Sequence, residues 1–378
     1  MKNYQQIIIS VIMLLWNYLA SAQEISISGV ICDEATKLPI SNVHIYLDGT
    51  SIQTITNSSG RFELITKSVI NTKMVLHHLT YETATVANPF TGLPDTLFMQ
   101  EQIQLLNEVT VSADRFSRKQ KLQAFREQFL GNSRAGRSCT IINEDDLQIY
   151  VNMQTQKLFA FSDKPIEVIN NYLGYKISFI LVNFWIQYVN EFRKDEANNN
   201  IFFNLTNDYV QDVFLSVISS YTDLVPDRNN IQQRRVNIYE MSPNFFFKSF
   251  ANEALTENKF VLYNRTVSSA GANPLTGTVQ IDHHQYFAIH DTLTQKLIHV
   301  IPDTDLYKAD GHHADQPLSG ILTILNQRNK SNPSAIYFMT DSFLVDRYGN
   351  IDRIDKIWFS GQMGTYRAGD MLPIDYEP

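Results

Sequence analysis

The sequence predicts a mainly β protein with minor α content, in which a β-sandwich is followed by a larger β-rich domain with at least two helices. Short stretches of alternating apolar side chains recur between turn-forming clusters over residues 24–112, which is typical of an antiparallel sandwich. Later apolar stretches are rich in β-branched and aromatic residues, which favour strands. With 378 residues, of which 44% are hydrophobic and 19% charged, the chain can bury two or three cores.

The first 22 residues have the pattern of a secretory signal peptide. Lys2 supplies a positive charge, Ile7–Leu15 an apolar core, and Ala20-Ser21-Ala22 a small-residue cleavage site before Gln23. An uncleaved membrane anchor is the alternative, but the apolar stretch is interrupted by Asn17, and a membrane span needs about 20 residues. We therefore expect cleavage before residue 23 and export to the periplasm or to an outer-membrane-associated position.

Seven short strands are expected between residues 23 and 112. The cluster Asn57-Ser58-Ser59-Gly60 joins two of them, and its glycine supplies the positive φ that a tight hairpin needs. The predicted strands are Ile25–Cys32, Val43–Leu47, Ile52–Thr56, Arg61–Ile65, Lys73–His77, Thr83–Val86 and Leu106–Val111.

Two helices are predicted after residue 112. Arg115–Leu130 places Leu122, Phe125 and Phe129 at helical spacing, and Ser242-Pro243 has the composition of a helix start. The resulting organisation is a signal peptide (1–22), a sandwich (23–112), a linking helix (113–134) and an uncharacterised β-rich domain (135–378).

The most apolar stretch of the remaining chain is Ile177–Val189. It is too short to cross a membrane as a helix and carries Ser178, Asn183 and Gln187, so no transmembrane segment is expected after signal cleavage. Because both alternating faces are largely apolar, it predicts a strand buried on both sides. An interface with a partner is the alternative.

Charge and cysteine content limit the function classes. The formal net charge of -8 argues against non-specific nucleic-acid binding, which requires a basic face. Two cysteines, Cys32 and Cys139, are too few for a disulfide scaffold. Export permits a bridge between them, whereas two separate buried thiols, which we expect, would be ordinary small apolar side chains.

No catalytic motif is recognisable. The chain lacks His-x-x-Glu, His-Glu-x-x-His, Gly-x-Ser-x-Gly and a P-loop, so we expect no catalytic residue, no metal ligand and no cofactor. Asp310-Gly-His-His-Ala-Asp315 is best interpreted as a surface loop. His77-His78 and His283-His284 fall in predicted strands, where adjacent side chains point to opposite faces and cannot share a metal.

Binding candidates are few. Arg234-Arg235 could contact an anionic ligand through planar, bidentate hydrogen bonds, although such pairs also cap or salt-bridge a surface. Sugar platforms favour exposed tryptophan, and only Trp185 and Trp358 follow the predicted signal peptide. A glycan ligand therefore stays an open alternative.

Residues 24–112 resemble a known family. The resemblance rests on Gly29-Val30-Ile31, Thr36-Lys37-Leu38-Pro39, Leu47-Asp48-Gly49-Thr50, Thr56–Phe62 and the closing Leu106–Val111. These residues resemble the carboxypeptidase-regulatory-like domain, a transthyretin-like Greek-key β-sandwich found in many exported bacterial proteins. The remainder is similar to the longer members of that exported group, for which no chemistry is assigned. The resemblance implies the accessory sandwich alone, without the peptidase.

These observations favour a non-catalytic extracytoplasmic binding or envelope-assembly protein whose partner is another envelope protein or a glycan. The alternative is an uncharacterised hydrolase or glycan-binding protein that uses the second domain. A deep pocket with convergent ionisable groups would support the enzyme. A flat apolar patch around Ile177–Val189 would support partner binding.

Overall fold

The computed structural model describes residues 24–102, 115–189, 203–226, 228–265, 278–292, 295–301, 321–328, 333–353 and 356–378. The predicted signal peptide, the predicted strand Leu106–Val111 and the Asp310–Asp315 cluster lie outside these ranges. Within them the protein is mainly β with five α-helices, which confirms the predicted fold class. None of the helices in the described ranges is long and apolar enough to cross a membrane.

Residues 25–99 form the sandwich, with one sheet in the order β4-β1-β7 and the other in the order β3-β2-β5-β6. Its strands are β1 (Ile25–Asp33), β2 (His44–Leu47), β3 (Gln53–Ile55), β4 (Arg61–Thr66), β5 (Met74–His78), β6 (Tyr81–Val86) and β7 (Thr96–Met99). The short β7 was not predicted, and it pairs in parallel with β1, so the sandwich is not purely antiparallel.

The hairpin before β4 has the predicted glycine geometry. Gly60 has φ +70°, and the side chain of Asn57 accepts hydrogen bonds from the backbone N–H groups of Ser59 and Arg61. Along β4 the buried and exposed residues alternate, so that Phe62 and Leu64 enter the core. The turn thus fixes which face of β4 is buried.

The second unit is a six-stranded sheet, called here the central sheet, with one face covered by helix α1 (Arg118–Phe129). The short helix α2 (Arg134–Arg137) follows α1. The strand order is β8-β11-β12-β10-β9, with β13 also paired to β12. Its strands are β8 (Cys139–Ile141), β9 (Gln148–Asn152), β10 (Lys157–Phe161), β11 (Ile166–Asn170), β12 (Tyr175–Tyr188) and β13 (Val210–Asp223).

Helix α1 lies where its apolar spacing predicts. Phe125 and Phe129 are fully buried, with ring centroids 4.8 Å apart, and they contact Phe179 and Phe184 of β12 edge to face. The capping box between Ser117 and Gln120 starts the helix. Aromatic packing between α1 and β12 therefore holds the core of this unit.

The third unit, called here the distal unit, has its own hydrophobic core around helix α4 (Pro243–Ala251). The predicted Ser242 cap is present, since its hydroxyl accepts the backbone N–H of Phe245. Two sheets enclose α4, in the orders β15-β14-β18-β19-β21 and β16-β17-β20. Their strands are β14 (Phe260–Arg265), β15 (Thr278–Gln280), β16 (Phe287–Asp291), β17 (Lys296–Val300), β18 (Ile321–Asn326), β19 (Ser334–Phe338), β20 (Ser342–Val345) and β21 (Ile357–Ser360).

Two more helices complete the described elements. Helix α3 (Asn229–Tyr239) precedes α4, and the short α5 (Gly361–Gly364) follows β21. Helix α3 was not among the helices predicted from the sequence. Its residues Arg235 and Ile231 are nevertheless buried, which indicates that packing against neighbouring elements stabilises this helix.

The prediction that Ile177–Val189 is buried on both faces is wrong for half of the strand. On one face of β12, residues such as Ile177 and Phe179 are buried in the core. On the other face, Ile180 packs with Tyr46 and Val75 of the sandwich, whereas Val182 is 57% exposed. Among the described residues, the sandwich covers the outer face only near the start of this long strand, and Val182 is exposed beyond it.

Candidate functional site

The loop between β2 and β3 joins the sandwich to the central sheet. The N–H of Gly49 donates to the carbonyl of Ser219 at 2.7 Å, and the N–H of Tyr221 donates to the carbonyl of Thr50 at 3.0 Å. The carboxylate of Asp48 accepts the N–H of Ser219 at 2.7 Å. The loop thus extends the central sheet beyond β13 by a short parallel bridge.

Residues 368–377, called here the closing segment, connect all three units. The N–H of Ala368 donates to the carbonyl of Phe129 at the end of α1. Further along, the N–H of Ile374 donates to the carbonyl of Gly49, and both carboxylate oxygens of Asp375 accept hydrogen bonds from Ser51, at 3.0 and 2.7 Å. The closing segment therefore lies where the units of the protein meet, and this region is called here the junction.

The turn Asp346–Asn350 attaches the distal unit to the sandwich. The carboxylate of Asp346 accepts backbone N–H groups of Tyr348 and Asn350 within the turn and that of Asn71 from the sandwich. Tyr348 is buried in the sandwich core, and its hydroxyl lies 2.6 Å from that of Ser68. A polar turn that carries one buried aromatic side chain thus makes this contact.

A cavity of about 430 Å³ lies where the three units and the closing segment meet. This volume is in the range of small-molecule sites, which often occur between domains. Four enclosed side-chain atoms of the described residues lack a hydrogen-bond partner, and two of them, Asn71 Nδ2 and Tyr239 Oη, belong to residues that line this cavity. The surrounding side chains are mainly apolar, such as Ile374 and Leu372.

The ionisable groups of the cavity do not form an acid–base pair. Among its described lining residues, Asp48 is the one carboxylate, and none is histidine, cysteine, lysine or arginine. Burial raises the pKa of Asp48, although the backbone N–H of Ser219 and the nearby Lys73 act in the opposite direction. Hydrolases usually combine a nucleophile or activated water with a neighbouring base, and the described lining places no histidine or second carboxylate beside Asp48 to form such a constellation.

A row of four aromatic side chains crosses the open part of the central sheet. Tyr150 of β9 pairs with Phe159 of β10, Phe159 pairs with Trp185 of β12, and Trp185 pairs with Phe214 of β13. Phe214 is 43% exposed, and the other three are half-buried. We call these four residues the aromatic row. With the exposed Val182, they form an apolar patch around the second half of β12.

The four rings of the aromatic row form two stacked pairs. Tyr150 and Phe159 are nearly parallel, with centroids 5.1 Å apart, and Trp185 and Phe214 are nearly parallel, with centroids 5.7 Å apart. Parallel rings this close stack on one another and cannot lie flat side by side. Their faces are therefore turned largely towards each other, and Lys157 also lies 4.1 Å from the Trp185 ring centroid.

The structure places the arginine pair at a contact between α3 and β12. Arg235 is buried, and its guanidinium donates two hydrogen bonds to the Asp223 carboxylate, at 2.6 and 2.8 Å, and others to the carbonyls of Leu173 and Gly174. Arg234 is half-buried, donates to the carbonyl of Tyr172 and stacks on its ring. Arg235 therefore serves the internal structure.

The two cysteines are free thiols in different sheets. Cys32 lies in β1 of the sandwich and Cys139 in β8 of the central sheet, and both are half-buried. Burial raises the pKa of Cys139 to about 12, and its Sγ lies 3.4 Å from the carbonyl oxygen of Ala135. Such a thiol is a poor nucleophile at neutral pH.

The remaining sequence candidates are dispersed. His77 and His78 lie in β5 as predicted, where they contact Thr83 and Thr80 respectively. Trp358 is 56% exposed on β21, far along the chain from Trp185 and in a different sheet. The structure does not bring the two tryptophans onto a common platform in the described sheets.

Sequence reasoning missed the aromatic row. Its members alternate with core residues in β9, β10, β12 and β13, so period-2 alternation was the available signal. Alternation assigns a face to each strand, but it does not give the pairing between strands that aligns Tyr150, Phe159, Trp185 and Phe214.

Comparison with known proteins gives one family. No curated protein matches the chain. Residues 27–111 match the model of the CarboxypepD_reg-like domain, a range that begins inside β1 and includes the other six strands of the sandwich. This agrees with the resemblance of the sequence and with the two-sheet architecture, so the sandwich of this protein is a carboxypeptidase-regulatory-like domain.

Proposed function

We propose that this protein is a non-catalytic binding and assembly protein outside the cytoplasm, which docks a second envelope protein through the aromatic row. The observation that carries the proposal is the open apolar patch on the second half of β12. Exposed contiguous apolar surface of this kind marks interaction sites. The signal-like residues 1–22 and the regulatory-like domain support the location.

Continuity with an internal interface supports a protein partner. The sandwich packs on the same face of the central sheet, where Tyr46 and Val75 contact Ile180 and Ile218. The aromatic row extends that face towards the end of β12. Because a β-sheet already docks on the first half through apolar side chains, a partner with a similar apolar surface suits the second half.

Ring orientation favours a protein over a glycan. Sugar rings stack on exposed aromatic faces, but in the aromatic row the faces are largely turned towards one another. Tyr, Trp and Phe side chains are enriched at protein–protein interfaces, where they can contact a partner in many orientations. The enzyme alternative has little support, because the described lining of the junction cavity combines one carboxylate with no histidine, cysteine, lysine or arginine that could activate a nucleophile.

The test is co-purification from native envelopes with surface variants. Phe214→Asp and Val182→Asp place a charge on the patch, whereas Leu79→Asp places one at a 78% exposed position in the β5–β6 turn. We expect the same partner to co-purify with the wild type and with Leu79→Asp, and to be lost with the two patch variants. Circular dichroism checks that all three variants fold.

Two results would contradict this function. A partner retained by both patch variants would show that the aromatic row is not the docking surface. Binding of the wild type to a purified envelope polysaccharide that is lost with Phe214→Asp would favour the glycan alternative.

A further inference from the structure

A cluster of histidine and carboxylate side chains lies in the distal unit, apart from the junction and the aromatic row. His283–Gln285 form a 3₁₀-helix before β16, and Asp282 caps it by accepting the N–H of His284 at 3.1 Å. The expectation that these histidines lie in a strand and face opposite ways is wrong. In the 3₁₀-helix their ring centroids are 4.1 Å apart.

The potential ligand atoms converge. Nδ1 of His283 lies 3.7 Å from Oδ1 of Asp282, and Nε2 of His284 lies 3.6 Å from Oε2 of Glu253. One nitrogen or oxygen atom from each of Asp282, His283 and His284 lies within 4.8 Å of the others. Around a tetrahedral zinc ion with bonds of about 2.0–2.2 Å, neighbouring ligand atoms are about 3.4 Å apart. The separations between these ligand atoms are thus somewhat longer than a bound zinc ion requires. Small changes in the side-chain torsion angles would shorten them to that value.

The hydrogen-bonding capacity of the His283 ring is only partly used within the described residues. The ring packs against Phe250 of α4 with centroids 5.6 Å apart, and its enclosed Nε2 has no hydrogen-bond partner among the described residues. This packing against Phe250 holds the ring in position beside Asp282 and His284.

We propose that His283, His284, Asp282 and Glu253 bind one divalent transition-metal ion of the zinc class. Two imidazoles with carboxylates suit zinc, whereas calcium and magnesium prefer oxygen ligands alone. Glu253 follows the end of α4, and the other three residues precede β16. The ion would therefore link α4 to the sheet β16-β17-β20, and it would strengthen the distal unit without taking part in partner docking.

The test titrates zinc chloride into the full exported chain, purified without a histidine tag, by isothermal titration calorimetry. We expect one zinc ion per chain, and cobalt(II) should give the visible absorption of a four-coordinate site. His284→Ala should lower zinc affinity by more than about tenfold, since even the loss of an outer-shell partner reduces metal affinity by that factor. Glu253→Gln should weaken binding, and zinc should raise the unfolding midpoint of the wild type but not of His284→Ala.

Matched controls separate this site from incidental histidine binding. His290 of β16 and His299 of β17 have ring centroids 5.5 Å apart, but no third ligand atom joins them in the described residues. The double variant His290→Ala/His299→Ala and the variant His312→Ala/His313→Ala should bind zinc as the wild type does. The proposal is overturned if the wild type takes up no zinc, if His284→Ala binds it unchanged, or if removing His312 and His313 abolishes binding.

Discussion

Arg235 shows how two adjacent, chemically identical residues acquire different roles. Its side chain is 2% exposed and bonded to Asp223, whereas its neighbour Arg234 is half-buried and donates one hydrogen bond, to a carbonyl. The sequence identified the pair as a candidate, but it could not say which member is buried. That distinction depends on α3, where successive residues are rotated by about 100° around the helix axis.

The arginine pair gives a direct test at the residue scale. Arg235→Met should lower the free energy of unfolding by about 2–3 kcal/mol, because it removes the hydrogen bonds that the buried guanidinium donates to Asp223 and to the carbonyls of Leu173 and Gly174. Arg234→Met should cost less than about 1 kcal/mol, the value of one ordinary hydrogen bond. Urea denaturation of both variants, followed by circular dichroism, provides the measurement. Equal losses would mean that the Asp223 contact does not stabilise the fold.

At the level of elements, local chemistry was predictable and tertiary packing was not. The Gly60 hairpin, α1 and the Ser242 cap of α4 follow from a few neighbouring residues, and the structure confirms them. Helix α3 and strand β7 depend on contacts with distant parts of the chain. The outer face of β12 likewise looked buried from its composition, because no local signal shows where the sandwich stops covering it.

The hairpin before β4 can be tested with a neighbouring control. Gly60→Ala should destabilise the protein by at least about 2 kcal/mol, because alanine is strained at positive φ. Its Cβ would also lie 2.5 Å from the carbonyl oxygen of Ile31. Ser59→Ala changes an exposed hydroxyl in the same turn and should stay within about 0.5 kcal/mol of the wild type. Guanidinium unfolding of both variants tests this, and a neutral Gly60→Ala would rule out the strained geometry.

At the scale of the whole molecule, the spacing of apolar residues along the chain could not predict where the closing segment lies. The hydrogen bonds between Ser51 and Asp375 span 324 residues, and the cavity exists only because this segment meets the sandwich and α3. Neither stretch carries a local sequence signal that indicates contact with the other.

Removing the Asp375 carboxylate should loosen the junction. Asp375→Ala deletes both hydrogen bonds to Ser51 and should cost about 1–2 kcal/mol locally. Amide hydrogen exchange should accelerate at Gly49–Ile52. Glu377→Ala removes an exposed ion pair with Arg347 from the same segment, and it should cost less than about 1 kcal/mol and leave that exchange unchanged. Equal exchange in the two variants would show that Asp375 does not secure the junction.

The long separation between Ser51 and Asp375 also sets an order of events in time. Closing a loop of 324 residues costs more chain entropy than closing any contact within the sandwich, whose strands lie within residues 25–99. The sandwich can therefore fold before the closing segment is in place, wherever in the cell folding begins. The β2–β3 loop is then available to contact β13 and the closing segment, so the junction forms after the sandwich that it holds.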